Sequence, residues 1–314
     1  MGSRKTSILC YGRSDTGKST QARYIAEYLW RTQKKKTRYI ALDRGSLWSP
    51  CQDLVDEGIV IPLEFQTASE YNPMAVMRKI RRGEWPRDGR INMPTRVNGP
   101  GGKVQYKPNT EWLPWGEKET AEIGGIVVDS ITSFATSFMS DAKQKNIRIG
   151  STGGGEVREE EGEQTGTNTQ THYGDAHLEV LDMMNAIQAL PIEIAYFTAL
   201  EDTGTDDSGG SKRVILGPAT VGKAIVGVIP QRVQNNFHLT ADGVGAAKKV
   251  KAWYSAHPSD IPSLQWPSKV GLLPSELPEF WKTFKDGFIP LSLEKGIAEF
   301  LEWRDSIRGK KEVK

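Results

Sequence analysis

The chain has 314 residues, enough to bury a full α/β core with room for insertions. Its 41 basic and 39 acidic side chains leave a net charge of +2, so no global field commits it to nucleic acid, and no membrane association is expected. Two cysteines, Cys10 and Cys51, supply neither a disulfide framework nor a metal cluster, and no long apolar run or signal peptide is present. A soluble, cytoplasmic protein of a reducing compartment is the expectation.

The apolar run Ile8-Leu9-Cys10-Tyr11 predicts a strand, and the helix after it places Ala22, Ile25, Ala26 and Leu29 on one face. Between them lies Gly12-Arg13-Ser14-Asp15-Thr16-Gly17-Lys18-Ser19-Thr20, which is G-x-x-x-x-G-K-S in a strand–loop–helix context. Glycines let such a loop wrap a phosphate with backbone N–H groups, and the helix N-terminus adds partial positive charge. Lys18 is placed to reach the β- and γ-phosphates, and the Ser19 hydroxyl to join the shell of a Mg²⁺ ion. ATP with Mg²⁺ is therefore the expected ligand, held by residues Gly12 to Thr20. A glycine turn before an ordinary helix is the alternative, and the strand and helix on either side disfavour it.

Further along, Tyr39-Ile40-Ala41-Leu42-Asp43 reads as a second strand ending on a carboxylate, and Ile59 to Leu63 as a third. A short basic helix is predicted from Pro73 to Arg82. From about residue 85 to 116, Pro, Gly and Asn dominate, which marks a β-rich insertion containing a hairpin. The stretch from about 140 to 172 carries three glycines, an acidic run and a Thr/Gln/Asn tract, and reads as a mobile loop. A helix with Val180, Met183, Met184 and Ile187 on one face follows, then a strand over Ile194 to Leu200 and a glycine-rich loop from Gly204 to Ser211. Short strands and a final helix aligning Leu293, Ile297, Phe300 and Leu301 complete the pattern. Strands alternating with helices after such a loop imply a mostly parallel sheet with helices on both faces. Residues 1–235 are read as the core, and 236–314 as a carboxyl-terminal extension packed on it.

Ile126-Val127-Val128-Asp129 has the form of a Walker B strand, apolar residues ending in a carboxylate that serves the Mg²⁺ shell. Asp129 as a cap of the next helix is the competing reading, since Ser130 onward can start one. The P-loop, the strand end at Asp43, Asp129-Ser130, the long loop, the following helix and Thr198-Ala199-Leu200-Glu201 come in an order that resembles the RecA-like ATPases. Within them the chain looks most like phage-encoded nucleotide-binding proteins related to single-strand-annealing recombination ATPases. Leu216-Gly217-Pro218 with Gly222-Lys223, Tyr173-Gly174 and Ile289-Pro290-Leu291 extend the similarity, which spans residues 6–303. The resemblance implies a RecA-like P-loop NTPase that hydrolyses ATP, assembles as a ring or filament and acts on single-stranded DNA in phage recombination, annealing or replication.

One departure bears on catalysis. The family places a glutamate after the second strand to polarise the attacking water, and here that position is Arg44. Asp43 and Glu64 are the substitute bases, and Glu201 or Asp202 the polar contacts to the γ-phosphate. Lys212, Arg213 and Lys223 are candidates for a cation reaching a neighbouring subunit's nucleotide, with plain surface charge as the alternative. For DNA, Arg78 to Arg82, Arg87, Arg90, Arg96 and Lys103 are interleaved with Trp85, Tyr106, Trp112 and Trp115, and Lys248 to Tyr254 has the same flavour. Three other functions remain open: a nucleotide-gated interaction module with weak ATPase activity docking onto another phage protein, a nucleoside monophosphate kinase, and a DNA-packaging motor. Gly17 to Arg23 looks like the thymidylate and adenylate kinases, but no arginine follows Asp129 and no arginine-rich lid is apparent.

Overall fold

The computed structural model describes residues 5–42, 49–65, 73–87, 90–91, 95–98, 104–107, 110–139, 170–206, 213–220, 225–243, 248–255, 257–258, 264–270, 287–292 and 294–312. The short apolar runs of the sequence become strands buried on both faces, as a parallel sheet sandwiched by helices requires. In chain order these are β1 (Thr6–Tyr11), β2 (Lys36–Ala41), β3 (Val60–Phe65), β4 (Arg90–Ile91), β5 (Ile123–Asp129), β6 (Ile194–Ala199), β7 (Asn235–Asp242), β8 (Lys249–Trp253) and β9 (Phe288–Pro290). Among the described residues they form one nine-stranded sheet in the order β9-β8-β7-β1-β6-β5-β2-β3-β4. Every pairing from β7 to β4 is parallel, and β8 and β9 add on antiparallel. The mostly parallel α/β sheet expected from the sequence is thus observed.

The helices are α1 (Lys18–Gln33), α2 (Gln52–Asp56), α3 (Pro73–Arg81), α4 (Glu117–Glu122), α5 (131–139), α6 (Gln170–Ala189) and α7 (Ala298–Glu312). Alternation along each strand divides the core in two. Leu9, Ile40, Val128 and Phe197 meet α3, α5 and α6 on one face. Ile8, Tyr39, Val127 and Tyr196 meet α1 and α7 on the other. Val180, Met183, Met184 and Ile187 all lie buried along α6, as their spacing predicts.

The carboxyl-terminal residues are bound tightly to α1. Ile297 donates its backbone N–H to Gln21 at 2.9 Å, Tyr28 donates to Asp305, and Arg31 pairs with Glu302. At Gly296, with φ of 50°, an added Cβ would lie 2.3 Å from the Tyr24 ring, so only glycine lets the chain approach α1 this closely.

Three expectations need correction. Residues 170–172, read as loop, are the first turn of α6. Gly204 to Asp206, also read as loop, belong to the strand Glu201–Asp206, which pairs antiparallel with Arg213–Pro218. Edge alternation was hidden there by glycine and aspartate, which have low strand propensity. The second strand starts earlier and ends at Ala41, where the Leu42 N–H bonds to the Asp129 carbonyl at 2.7 Å. The insertion does carry β structure: Glu84–Pro86 pairs with Trp112–Pro114, and Thr95–Asn98 with Val104–Lys107. Most of the expected mobile loop, residues 140–169, lies outside the described residues, as do Leu293, Lys212 and Lys223.

Candidate nucleotide site

Placing β6 between β1 and β5 brings the ends of three parallel strands together where the P-loop turns into α1. Ligands in open α/β sheets bind at the carboxyl ends of strands for this reason. The loop from Gly12 to Gly17 holds the backbone in conformations that side chains resist. Gly17 has φ of 82°, and Asp15, a non-glycine residue, has φ of 62°. A Cβ at Gly12 would sit 2.3 Å from the Leu239 carbonyl oxygen of β7, so backbone packing excludes any side chain there.

Lys18 is buried and donates from Nζ to the carbonyls of Gly12 at 2.9 Å and Arg13 at 2.6 Å. Burial lowers its pKa from the ordinary lysine value, while Asp129, Glu201 and Asp15 pull it back up. The ammonium is thus held inside the loop by neutral acceptors, positioned for an anion.

Asp129 is 3% exposed and collects three hydroxyl donors. Ser19 Oγ reaches its Oδ2 at 2.7 Å from α1, Tyr39 OH reaches the same oxygen at 2.6 Å from β2, and Thr198 donates to Oδ1 from β6. Burial and the Asp129 charge push the Tyr39 phenol far above its usual pKa, so it stays a donor. The helix-cap reading of Asp129 does not apply, because Ser130 fills that role: the Ser133 N–H donates to Ser130 Oγ at 3.2 Å at the start of α5. The Ser19–Asp129 bond joins the P-loop to the strand-end carboxylate, and the pair fits a Mg²⁺ shell: both groups are oxygen donors, one of them anionic.

On the other side of β1, Glu201 sits beside the loop. Arg13 Nε bonds its Oε1 at 2.9 Å and His238 Nε2 meets its Oε2 at 2.8 Å. Burial raises the Glu201 pKa, but these two partners outweigh it and leave the carboxyl below its ordinary value. Burial lowers His238, opposed by Glu201, and its ring stacks on Tyr11 with centroids 4.8 Å apart. Lys248, read from sequence as part of a DNA-binding patch, donates to the Asp15 carbonyl of the loop.

Sequence reasoning missed Tyr39, Thr198 and His238. Polar side chains in otherwise apolar strands were the available signal, and Thr198 at a strand end was the clearest. Asp43 and Arg44 lie outside the described residues, and so does the side chain of Glu64 near the end of β3. Asp202 turns to its own neighbour, accepting the Thr203 N–H at 2.7 Å.

Trp85, Trp112 and Trp115 pack against neighbouring cations. Trp85 is buried, and the Arg38 guanidinium lies 4.2 Å from its ring centroid and 5.0 Å from that of Trp115. Lys79 lies over Trp112 and pairs with Glu84, Arg81 pairs with Glu179 and Asp182, and Arg87 pairs with Glu111. Lys251 pairs with Asp242, and Trp253 packs on Phe288.

A glycine-shaped loop before a helix, a buried lysine inside it and a serine tied to a strand-end aspartate define a P-loop NTPase. The chain belongs to the AAA domain family, which matches residues 4–247. No curated protein matches it. Among solved structures it is similar to a KaiC-like protein from the hyperthermophilic archaeon Pyrococcus horikoshii, at 12% identity and a TM-score of 0.39 over 79% of this chain and 77% of the other. The fold is the RecA-like P-loop α/β arrangement, carried by the strand order and loop placement described above. Among the described residues no helix is long and apolar enough to cross a membrane.

Proposed function

We propose that the chain binds ATP with Mg²⁺ at this site and hydrolyses it. The observation that carries the reading is the Ser19–Asp129 bond beside a buried, carbonyl-bound Lys18. In this reading Lys18 exchanges its carbonyl partners for phosphate oxygens, and the loop N–H groups from Gly12 to Thr20 surround the phosphates. Ser19 and Asp129 would hold Mg²⁺, which would supply charge neutralisation to the phosphates. Hydrolysis breaks the bond between the γ-phosphorus and its bridging oxygen as water adds. The water's proton passes to a carboxylate, for which Asp43 and Glu64 are the proposed bases, and Glu201 answers the γ-phosphate through Arg13.

The partner is a second question. The motif order favours single-stranded DNA, a ring or filament and a place in phage recombination, annealing or replication. The ion pairs of Lys79, Arg81 and Arg87 and the buried Trp85 favour the other reading, a nucleotide-gated module that docks onto a protein, because those cations are already engaged with carboxylates. ATP hydrolysis measured with and without single-stranded DNA, at low and moderate salt, separates them. Strand-dependent stimulation that fades as salt rises supports the DNA reading. Equal turnover in every condition supports the docking module, and no turnover at any ATP concentration overturns the ATPase assignment.

A further inference from the structure

The four residues from Thr198 to Glu201 run past the nucleotide site and touch it repeatedly. Thr198 donates to Asp129 at the end of β5, and the Ala199 carbonyl accepts the N–H of Gly12, the first residue of the P-loop, at 3.3 Å. Glu201 meets Arg13 of the loop and His238 of β7. Leu200 turns the other way, donating its N–H to Thr132 Oγ1 at 3.0 Å.

Thr132 lies at the start of α5, three residues after Asp129. Its hydroxyl accepts from Leu200 and donates to the Ala219 carbonyl at 2.8 Å, and the Ala219 N–H returns to the Leu200 carbonyl. One side chain thus clasps both strands at the root of the hairpin formed by Glu201–Asp206 and Arg213–Pro218. A hydroxyl can donate and accept at once, and both capacities are used here. The β-branch stiffens the side chain, so the clasp has a fixed direction. The pairing of β6 with β1 ends at Ala199. From that point the tie to α5 sets the path by which Glu201 leaves the sheet.

We propose that Thr132 is a positioning residue for ATP turnover: by clasping Leu200 and Ala219 it sets Glu201 against Arg13 of the P-loop. The inference rests on the ATPase reading and adds to it a residue that acts only through its neighbours. With the clasp in place, the Glu201 carboxylate keeps Arg13 aligned with the loop. Without it, the carboxylate moves with the hairpin root and Arg13 loses its anchor. The Ser19–Asp129 bond and the Lys18 contacts do not pass through Thr132. Nucleotide binding should therefore survive its loss, while alignment for the chemical step should not.

The test uses Thr132→Val, which keeps the branched shape without the hydroxyl, Thr132→Ala as a second hydroxyl-free variant, and Thr132→Ser, which keeps the hydroxyl. Leu200 lies at the surface, so water can take its released N–H and the variants should fold, as urea unfolding checks. Steady-state ATP hydrolysis should show kcat lowered at least about tenfold in the hydroxyl-free variants with KM little changed. Thr132→Ser should restore most of that loss. A second readout needs no turnover: the His238 imidazole is titrated by NMR without nucleotide. Burial lowers the His238 pKa and Glu201 raises it, so withdrawal of Glu201 should make His238 titrate at lower pH in Thr132→Val than in the wild type or Thr132→Ser. An unchanged His238 titration in both hydroxyl-free variants overturns the proposal, as does an unchanged kcat beside an active wild type. A wild type without turnover overturns the ATPase reading and the catalytic role of Thr132 with it, while the His238 titration still reports whether Thr132 places Glu201.

Discussion

Replacing Lys18 by methionine removes the ammonium while keeping most of the side chain's length. In the protein without nucleotide, Nζ holds two loop carbonyls at 2.9 and 2.6 Å, so ATP binding exchanges those partners for charged ones. The net contribution is the difference between the two sets, toward the lower end of the roughly 1.5–3 kcal/mol of a hydrogen bond to a charged group. A loss of about 2 kcal/mol corresponds to roughly 30-fold weaker ATP binding. Stability should change less. Methionine leaves the Gly12 and Arg13 carbonyls without their donor, but it also relieves the burial of a charge whose pKa the site already lowers. Calorimetric titration with a non-hydrolysable ATP analogue, paired with urea unfolding, measures both quantities. Wild-type affinity in a variant with a wild-type unfolding curve would refute the placement of Lys18 on the phosphates.

Tyr39→Phe removes one of three donors to Asp129 and should lower stability by about 1.5–3 kcal/mol, read as a lower urea midpoint. Gly12→Ala drives a Cβ into the Leu239 carbonyl and should cost about 1–3 kcal/mol together with nucleotide binding, checked by thermal melting with and without ATP. His238 has a folded pKa below its unfolded value near 6.5, so the unfolded chain takes up the proton first. Its contribution is complete above that value and is lost as pH falls through the lowered folded pKa, with a slope of at most about 1.4 kcal/mol per pH unit. Urea midpoints between pH 7.5 and 5 should show this limb in the wild type and a shallower one in His238→Gln. Asp43→Ala should reduce turnover far more than ATP affinity, and unchanged turnover removes Asp43 from the mechanism.

The P-loop was legible because its chemistry is local: glycines, lysine and serine at fixed spacing between a strand and a helix leave little to tertiary context. Asp129 was legible for a similar reason, as the polar end of an apolar strand. Its partners were not. Tyr39 and Thr198 come from strands on either side of β5, and only the strand order tells which residues become neighbours. His238 was hidden further, since β7 lies beside β1 but more than two hundred residues separate them in sequence. The basic–aromatic reading of the insertion could not see exposure: composition shows that Trp85, Arg81 and Arg87 are present, not that the tryptophan is buried and those two arginines are paired. Lys248 shows the same limit, because a cation next to aromatic residues in sequence turned out to hold the phosphate loop.

The attachment of α7 to α1 has a consequence for synthesis. The phosphate-binding loop and its helix emerge from a ribosome more than two hundred and fifty residues before Gly296, Ile297, Glu302 and Asp305. Until then the outer side of α1 has no cover and Gln21 no backbone N–H to accept from. The nascent chain therefore carries its nucleotide motif complete in sequence long before the helix that bears it is fastened in place.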